Sequence, residues 1–321
     1  MELYGINRQD LRAAAKYARL TSARTGWPFL YHWFDCLVCA VFHGCGASQY
    51  YEGFYRLRPF DRAKTYTRKR IDRVRARYGD PKFGYLLKDK VAFNTRFSGF
   101  IGREWLNCKT ASEADIRAFV ERIGRIMVKP TRESCGSGVH ELDKSRFESE
   151  LPALAGADYL LEEYIDQHPA MCFGNKSVNT VRITTILDHA GVFHVVTAAV
   201  RCGIGNAVVD NYSQGGVVYP LNVEYGRIEG PGSTRDLGPV VEVQPGTDVF
   251  MVGREVPCWK ETLQLVEAAA RHIPEIGFVG WDVAISKNGP LLVEGNQRPS
   301  ASLMENQGTK RGLYRVMMSY V

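Results

Sequence analysis

The chain lacks the pattern GxxxxGK[ST] anywhere in its 321 residues, and it lacks GxGxxG as well. The two commonest glycine-rich phosphate cradles, the P-loop and the Rossmann turn, are thereby excluded. Long apolar runs are missing too. The longest, Trp27 to Val41, is broken by His32 and Asp35, whereas a membrane-spanning helix needs about 20 apolar residues. Met1-Glu2-Leu3-Tyr4 has neither the basic stretch nor the apolar core of a secretory leader, so a cytoplasmic protein is expected. There is no internal repeat and no low-complexity linker. With 45% hydrophobic and 24% charged residues, the composition is that of a globular protein and excludes a disordered chain, a collagen-like repeat or a coiled coil.

Eight cysteines are too few for a disulfide framework in a chain of this length. Cys36-x-x-Cys39 with His43 and Cys45 has the outline of a metal site. A second CxxC is missing, and the run is apolar and aromatic, so these thiols read as small hydrophobes of a core. The net charge of +6 is local. Ten basic and two acidic residues lie between Arg56 and Arg77, which leaves the rest of the chain close to neutral. Ala63, Tyr66, Arg70, Ile71, Val74 and Tyr78 fall near helical spacing and predict one amphipathic helix with a basic outer face. That face reads as solvated, or as a docking surface for a polyanion or lipid headgroups. No RNA-binding signature accompanies it, and no nucleic-acid partner is expected.

Residues 1–85 predict a helical, aromatic-rich region, with a helix over Asp10–Arg19 and an apolar segment near 29–43. Residues 86–128 hold Lys90, a Gly99/Gly102 loop, and a helix opened by Ser112 with Asp115 three residues on, the capping-box spacing. Beyond that helix, β-branched runs predict strands at 125–129, 159–165, 180–187, 193–201, 217–225, 278–286 and 290–295. A single clear helix, Pro257 to His272, interrupts them. Many strands with few helices after a helical start indicate α+β, or mixed α/β, rather than a parallel Rossmann sheet.

Four segments carry candidate chemistry. Lys129 ends a strand and is followed by a loop with Gly136, Ser137 and Gly138. Glycine lets backbone N–H groups come close to phosphate, and a neighbouring lysine supplies the cation. In Gly280-Trp-Asp282…Lys287-Asn-Gly-Pro290…Glu294-Gly-Asn296, two apolar strands flank a turn and predict a β-hairpin. Residues two apart on a strand share a face, so Glu294 and Asn296 can converge with Asp282 on a hard cation. Glu294 follows Leu-Leu-Val, where an unpaired carboxylate is costly to bury. Glu162 and Glu163 sit inside the apolar run Tyr159–Ile165, where a carboxylate could accept ribose hydroxyls or an adenine amino group. Arg182 and Arg201 on strands, followed by Asp210-Asn211 and Gly215-Gly216, offer planar forks for phosphate oxygens.

In this order the segments resemble the ATP-grasp superfamily, whose ligases join carboxylates to amines. VKPTRESCGSGV resembles its strand lysine and small loop, LLEEYI its interlobe hinge, and GWDVAISKNGPLLVEGN its metal-binding hairpin. AAVR…DNYSQGG resembles elements of the glutamate-ligase branch, though that branch's arginines are replaced here by Val209 and Gln214. The paired aromatics at Tyr50-Tyr51 and Phe54-Tyr55, the Arg-rich helix and DKVAFN further resemble the sugar-transfer-associated subgroup.

The resemblance implies an ATP-grasp fold of two lobes sandwiching ATP, with helical region 1–85, small lobe 86–160 and large lobe 161–321. It implies that Lys90, Lys129 and the loop at Gly136, Ser137 and Gly138 hold phosphates. Glu162, Glu163, Tyr164 and Ile165 would bind adenine and ribose. Asp282, Glu294 and Asn296 would hold Mg²⁺ or Mn²⁺, and Arg182, Arg201 and Asn211 would act at the reacting group. The activity implied is an ATP- and Mg-dependent ligation of a small-molecule, peptide or sugar carboxylate to an amine through an acyl phosphate, with ADP and phosphate released. A small-molecule kinase on the same fold and a non-catalytic nucleotide- or polyanion-binding module are the alternatives. A homodimer is compatible with the sequence.

Overall fold

The computed structural model describes residues 8–132, 138–143, 145–207, 210, 212, 215–234, 238–300 and 312–320. Seven helices come first: α1 (Arg8–Thr25), α2 (Phe29–His43), α3 (Ala47–Glu52), α4 (Pro59–Lys64), α5 (Arg68–Tyr78), α6 (Tyr85–Lys88) and α7 (Lys90–Arg96). Then follow β1 (Trp105–Asn107), α8 (Glu113–Ile123), β2 (Ile126–Pro130), β3 (His140–Glu141), α9 (Phe147–Leu154) and β4 (Tyr159–Glu163). The remainder is β5 (Thr180–Leu187), β6 (Phe193–Cys202), β7 (Val217–Leu221), β8 (Gly232–Thr234), β9 (Gly238–Val241), α10 (Trp259–His272), β10 (Phe278–Ser286), β11 (Gly289–Asn296) and, closing the chain, a last helix, Leu313–Ser319, here α11.

The strands form two sheets, a small one in the order β1-β4-β2-β3 and a large one in the order β11-β10-β5-β6-β7-β8-β9. Every strand pairing in both is antiparallel. The architecture is therefore mixed α+β with a helical start. Among the described residues no helix is long and apolar enough to cross a membrane.

Alternation along the central strands separates two faces of the large sheet. Val181, Ile183, Trp281 and Val283 pack into the main core with Val266, Ala269 and Ala270 of α10. Leu87, Phe93, Phe97 and Ile101, from the segment preceding β1, join that same core. The small sheet has its own core, where Ile126, Val128 and Leu161 meet Ile116 and Phe119 of α8. The cap of α8 forms as its spacing predicts: Asp115 N–H donates to the Ser112 hydroxyl, and Ser112 N–H donates to the Asp115 carboxylate.

The basic segment is two helices rather than the single one expected. Thr65–Thr67 is extended, and side chains take its carbonyls, one from a distant helix and one from the next turn. Gln49 donates to the Tyr66 carbonyl at 2.8 Å and Arg70 to that of Thr65 at 2.5 Å. The inward face is nevertheless as spaced: Tyr66, Ile71, Val74 and Tyr78 are buried with Ile186 and Phe278 of the large sheet and Leu313 and Met317 of α11. Cys36, Cys39 and Cys45 are free thiols in a core with Ala14, Tyr50 and Phe54. Burial pushes Cys36 and Cys39 up to about 12, which opposes the thiolate form that a metal requires.

Candidate active site

On the hairpin, Asp282 stands directly opposite Glu294, and on the other side of β10 it stands opposite Arg182 of β5. Cross-strand partners share a face, so Glu294, Asp282 and Arg182 make a row across three strands. Arg182 in turn faces Ala199 of β6, which puts Arg201, two residues on, on the same side. The β10–β11 register slips after Asp282, leaving Val293 as an extra residue beside Glu294. Such a bulge re-aims the side chains next to it.

Asp282 is buried and fully engaged. Arg182 donates from Nε to Oδ1 and from Nη2 to Oδ2 at 2.8 Å, and Arg201 donates from Nη1 to Oδ2 at 2.6 Å. Arg201 turns its Nη2 to Asp210 at 2.9 Å, and Asp210 accepts from the Thr180 amide and hydroxyl. The Arg201 Nε is buried with no partner among the described residues. Burial alone would raise the Asp282 carboxyl, but the two guanidinium groups outweigh it and hold it well below the usual carboxylate range. Glu294 goes the other way: burial first, and then the Asp282 charge opposite, push it up. Asn296 donates its amide to Glu294 at 3.1 Å.

Asp282, Glu294 and Asn296 are therefore grouped on one face, where a hard cation would take Glu294 and the Asn296 oxygen and share Asp282 with Arg182 and Arg201. A divalent ion would relieve the repulsion that raises Glu294, so the set fits Mg²⁺ or Mn²⁺. It consists of two carboxyls and an amide; no cluster of three His, Cys, Asp or Glu suited to a metal occurs among the described residues.

A second polar cluster lies on the small sheet. Lys129 and Glu162 are diagonal neighbours on β2 and β4, and the lysine donates to Glu162 Oε2 at 2.5 Å. Arg103 donates to the same carboxylate from Nε at 2.9 Å and from Nη2 at 3.1 Å, and Asn94 adds a bond of 2.8 Å. Burial opposes the charge on Glu162, yet Arg103 and Lys129 hold its carboxyl far below the usual range. Arg103 also donates to the carbonyls of Leu292 at 2.6 Å and Val293 at 3.3 Å. Lys129 is thus linked through Glu162 and Arg103 to the backbone of Val293, the residue preceding Glu294.

Lys90 opens α7, where the Asp89 side chain caps the Val91 and Ala92 amides, and its Nζ donates to the Pro130 carbonyl at 2.8 Å. Both lysines therefore sit at the end of β2, where the glycine loop leaves. Gly138 has φ +72°, and a Cβ there would lie 2.9 Å from the Pro130 ring. Gly136, Ser137 and Asn211, together with Val209 and Gln214, lie outside the described residues.

After Glu163 the chain leaves the small sheet. Glu163 points to the other face and accepts from the Glu104 amide at 3.1 Å. The Tyr164 ring lies under the Arg125 guanidinium at 3.5 Å, and Ile165 packs on Ala284 and Leu291 of the large sheet. Sequence reasoning missed Arg103 and Asn94. Arg103 lies between Gly102 and β1, with no periodicity and no motif to mark it.

Residues 106–317 match the profile of a family described as sugar-transfer associated ATP-grasp. No curated protein matches the chain. Among solved structures, the ATP-grasp ligase PsnB complexed with minimal precursor, Mg and ADP is similar at 15% identity and a TM-score of 0.47, over 75% of this chain and 61% of that one. The ADP complex of purK, an N5-carboxyaminoimidazole ribonucleotide synthetase, is similar at 10% identity and a TM-score of 0.45, over 70% of this chain and 46% of that one. The chain thus spans about six tenths of the length of PsnB and less than half that of purK.

Proposed function

Because the chain belongs to the sugar-transfer associated ATP-grasp family and has the mixed α+β fold with a helical N-terminal region, we propose that it is an ATP-dependent, ADP-forming carboxylate–amine ligase. The observation that carries this reading is the row Arg182–Asp282–Glu294, with Arg201 beside it, linked through Arg103 to Lys129. Such an array suits phosphoryl transfer, in which the protein contributes position and electrostatics rather than a covalent nucleophile.

In this reading ATP lies between a small lobe, expected from the sequence at 86–160 and carried on by β4 to Glu163, and a large lobe after it. Lys90 and Lys129 hold its phosphates, and the loop carrying Gly136, Ser137 and Gly138 closes over them and excludes water. The four bonds that Glu162 already accepts suit it to orienting Lys129, and with the Glu163 side chain on the opposite face, adenine and ribose fall to the backbone around Tyr164 and Ile165. Asp282, Glu294 and Asn296 hold Mg²⁺, which when bound neutralises charge on the phosphates. Arg201, with its unpartnered Nε, and Arg182 offset charge on the group being transferred, and Asn211 stands near them in sequence. A carboxylate is a poor electrophile at neutral pH; once it is an acyl phosphate, an amine can attack its carbonyl carbon and displace inorganic phosphate.

The test is joint quantification of ADP, AMP and phosphate from Mg·ATP, with and without added carboxylate and amine. The ligase predicts ADP matched by phosphate and rising with the amine. ADP without matching phosphate identifies a kinase, and AMP overturns the acyl-phosphate route. Lys129→Ala and Glu294→Ala are each expected to abolish turnover, and full activity in either removes it from the site.

A further inference from the structure

Helix α2 is inside out. In a surface helix of a globular protein the apolar stripe faces the core and the polar residues face water. Here His32, Cys36 and Cys39 are buried. Asp35 turns inward as well, accepting from Arg62 at 2.6 Å and from the Tyr50 hydroxyl at 2.8 Å. The outward face is apolar. Leu30, Phe34 and Phe42 are 70%, 67% and 75% exposed, and Trp27, Tyr31 and Val41 continue the stripe. From Leu30 to Phe42 these positions recur at three, four and seven residues, so they line one side of the helix over about 18 Å. An exposed contiguous aromatic and aliphatic stripe of this kind marks an interaction surface.

Its surroundings are basic. Fifteen basic and five acidic residues lie between Arg8 and Tyr78. Arg8, Arg12, Lys16 and Arg19 are exposed on α1, which packs against α2. The Arg19 guanidinium lies 5.6 Å from the Phe29 ring at the start of α2. On α4, Phe60 is 69% exposed with the Lys64 ammonium 3.5 Å from its ring.

We propose that the α1–α2 pair seats the protein on an anionic membrane surface, with the outer stripe of α2 lying in the interface and the basic residues of α1 on the headgroups. Aliphatic and aromatic residues on one helix, flanked by arginine and lysine, are what a helix lying in the plane of an anionic bilayer presents. Trp27 and Tyr31, at one end of the stripe, are the residue types that settle at the headgroup level. The helix is too short to span the hydrocarbon core, so the attachment is to one leaflet. A second copy docked symmetrically through this face would bring two strongly basic surfaces together, whereas anionic lipid neutralises them. None of these residues belongs to the proposed nucleotide or metal site, so attachment can be tested whatever reaction that site performs.

The experiment is flotation of the full chain with vesicles of phosphatidylcholine alone and of phosphatidylcholine mixed with phosphatidylglycerol. Binding to the mixed vesicles is expected, with loss of at least about tenfold in affinity in Phe34→Ser/Phe42→Ser. Both positions are exposed, so the thermal unfolding of that variant should match the parent. Should that variant misfold, Arg12→Glu/Lys16→Glu serves as the second, with the same loss expected on mixed vesicles. Absence of flotation with mixed vesicles overturns the proposal, and so does undiminished binding in the phenylalanine variant. A dimer that the phenylalanine substitutions disperse, without vesicle binding, assigns the stripe to a second copy instead.

Discussion

Glu162 has room for about four hydrogen bonds on its two oxygens, and Lys129, Asn94 and Arg103 fill them. In the proposed site this carboxylate would serve as a fixed acceptor that aims Lys129. Removing the arginine alone leaves a buried charge short of its main partner and strands two backbone carbonyls. Arg103→Met is expected to lose about 3–5 kcal/mol of stability, measured by urea unfolding, as for other broken buried pairs, together with a raised KM for ATP. The pH dependence has a definite sign. The Glu162 carboxyl is held below its ordinary value in the folded chain, so the unfolded chain binds the proton more readily. Its stabilisation is complete above about pH 4.3, the ordinary glutamate value, and is lost as pH falls toward the depressed one. The urea midpoint should decline in that window, and the part due to this group should vanish in Glu162→Gln. Glu294, raised by burial and by Asp282, acts in the opposite sense: it favours the folded state at low pH and loses that contribution as pH rises through its elevated value.

Among the elements, the long strands were legible because β-branched residues recur along them and both faces are covered. Thr180–Leu187 is buried at every position. Trp105–Asn107, His140–Glu141 and Gly232–Thr234 are two or three residues long, too short for a period of two to repeat. The break between α4 and α5 was invisible for a different reason: Gln49, which takes the Tyr66 carbonyl, arrives from α3 through the tertiary fold. The hairpin announced its site because carboxylates interrupt an apolar run, whereas Arg103 has no such contrast around it. The cap of α8 was read from spacing alone, and its strength can be measured. Ser112→Ala should cost about 1 kcal/mol, seen as a lower denaturation midpoint with unchanged ATP affinity, because α8 supports the small sheet from outside the site.

For the whole molecule, the packing of Leu87, Phe93, Phe97 and Ile101 into the large core means that the proposed small lobe is anchored in its neighbour before β1 begins. Nucleotide bound between the sheets should therefore stabilise the chain as one unit. A ligand at 100 times its Kd contributes about 2.7 kcal/mol. Mg·ATP is accordingly expected to raise the melting temperature in calorimetry, and Lys129→Ala or Glu294→Ala should remove most of that rise. Arg103 has one more consequence at this scale. β11 is the terminal strand of the large sheet, and its outer backbone groups are occupied: Leu292 donates to the Phe100 carbonyl at 2.9 Å, while Arg103 takes the carbonyls of Leu292 and Val293. An open strand edge is a template for pairing with another chain. The guanidinium that holds Glu162 also covers this stretch of the edge, so Arg103→Met is expected to leave the edge open to another chain as well as to free the carboxylate.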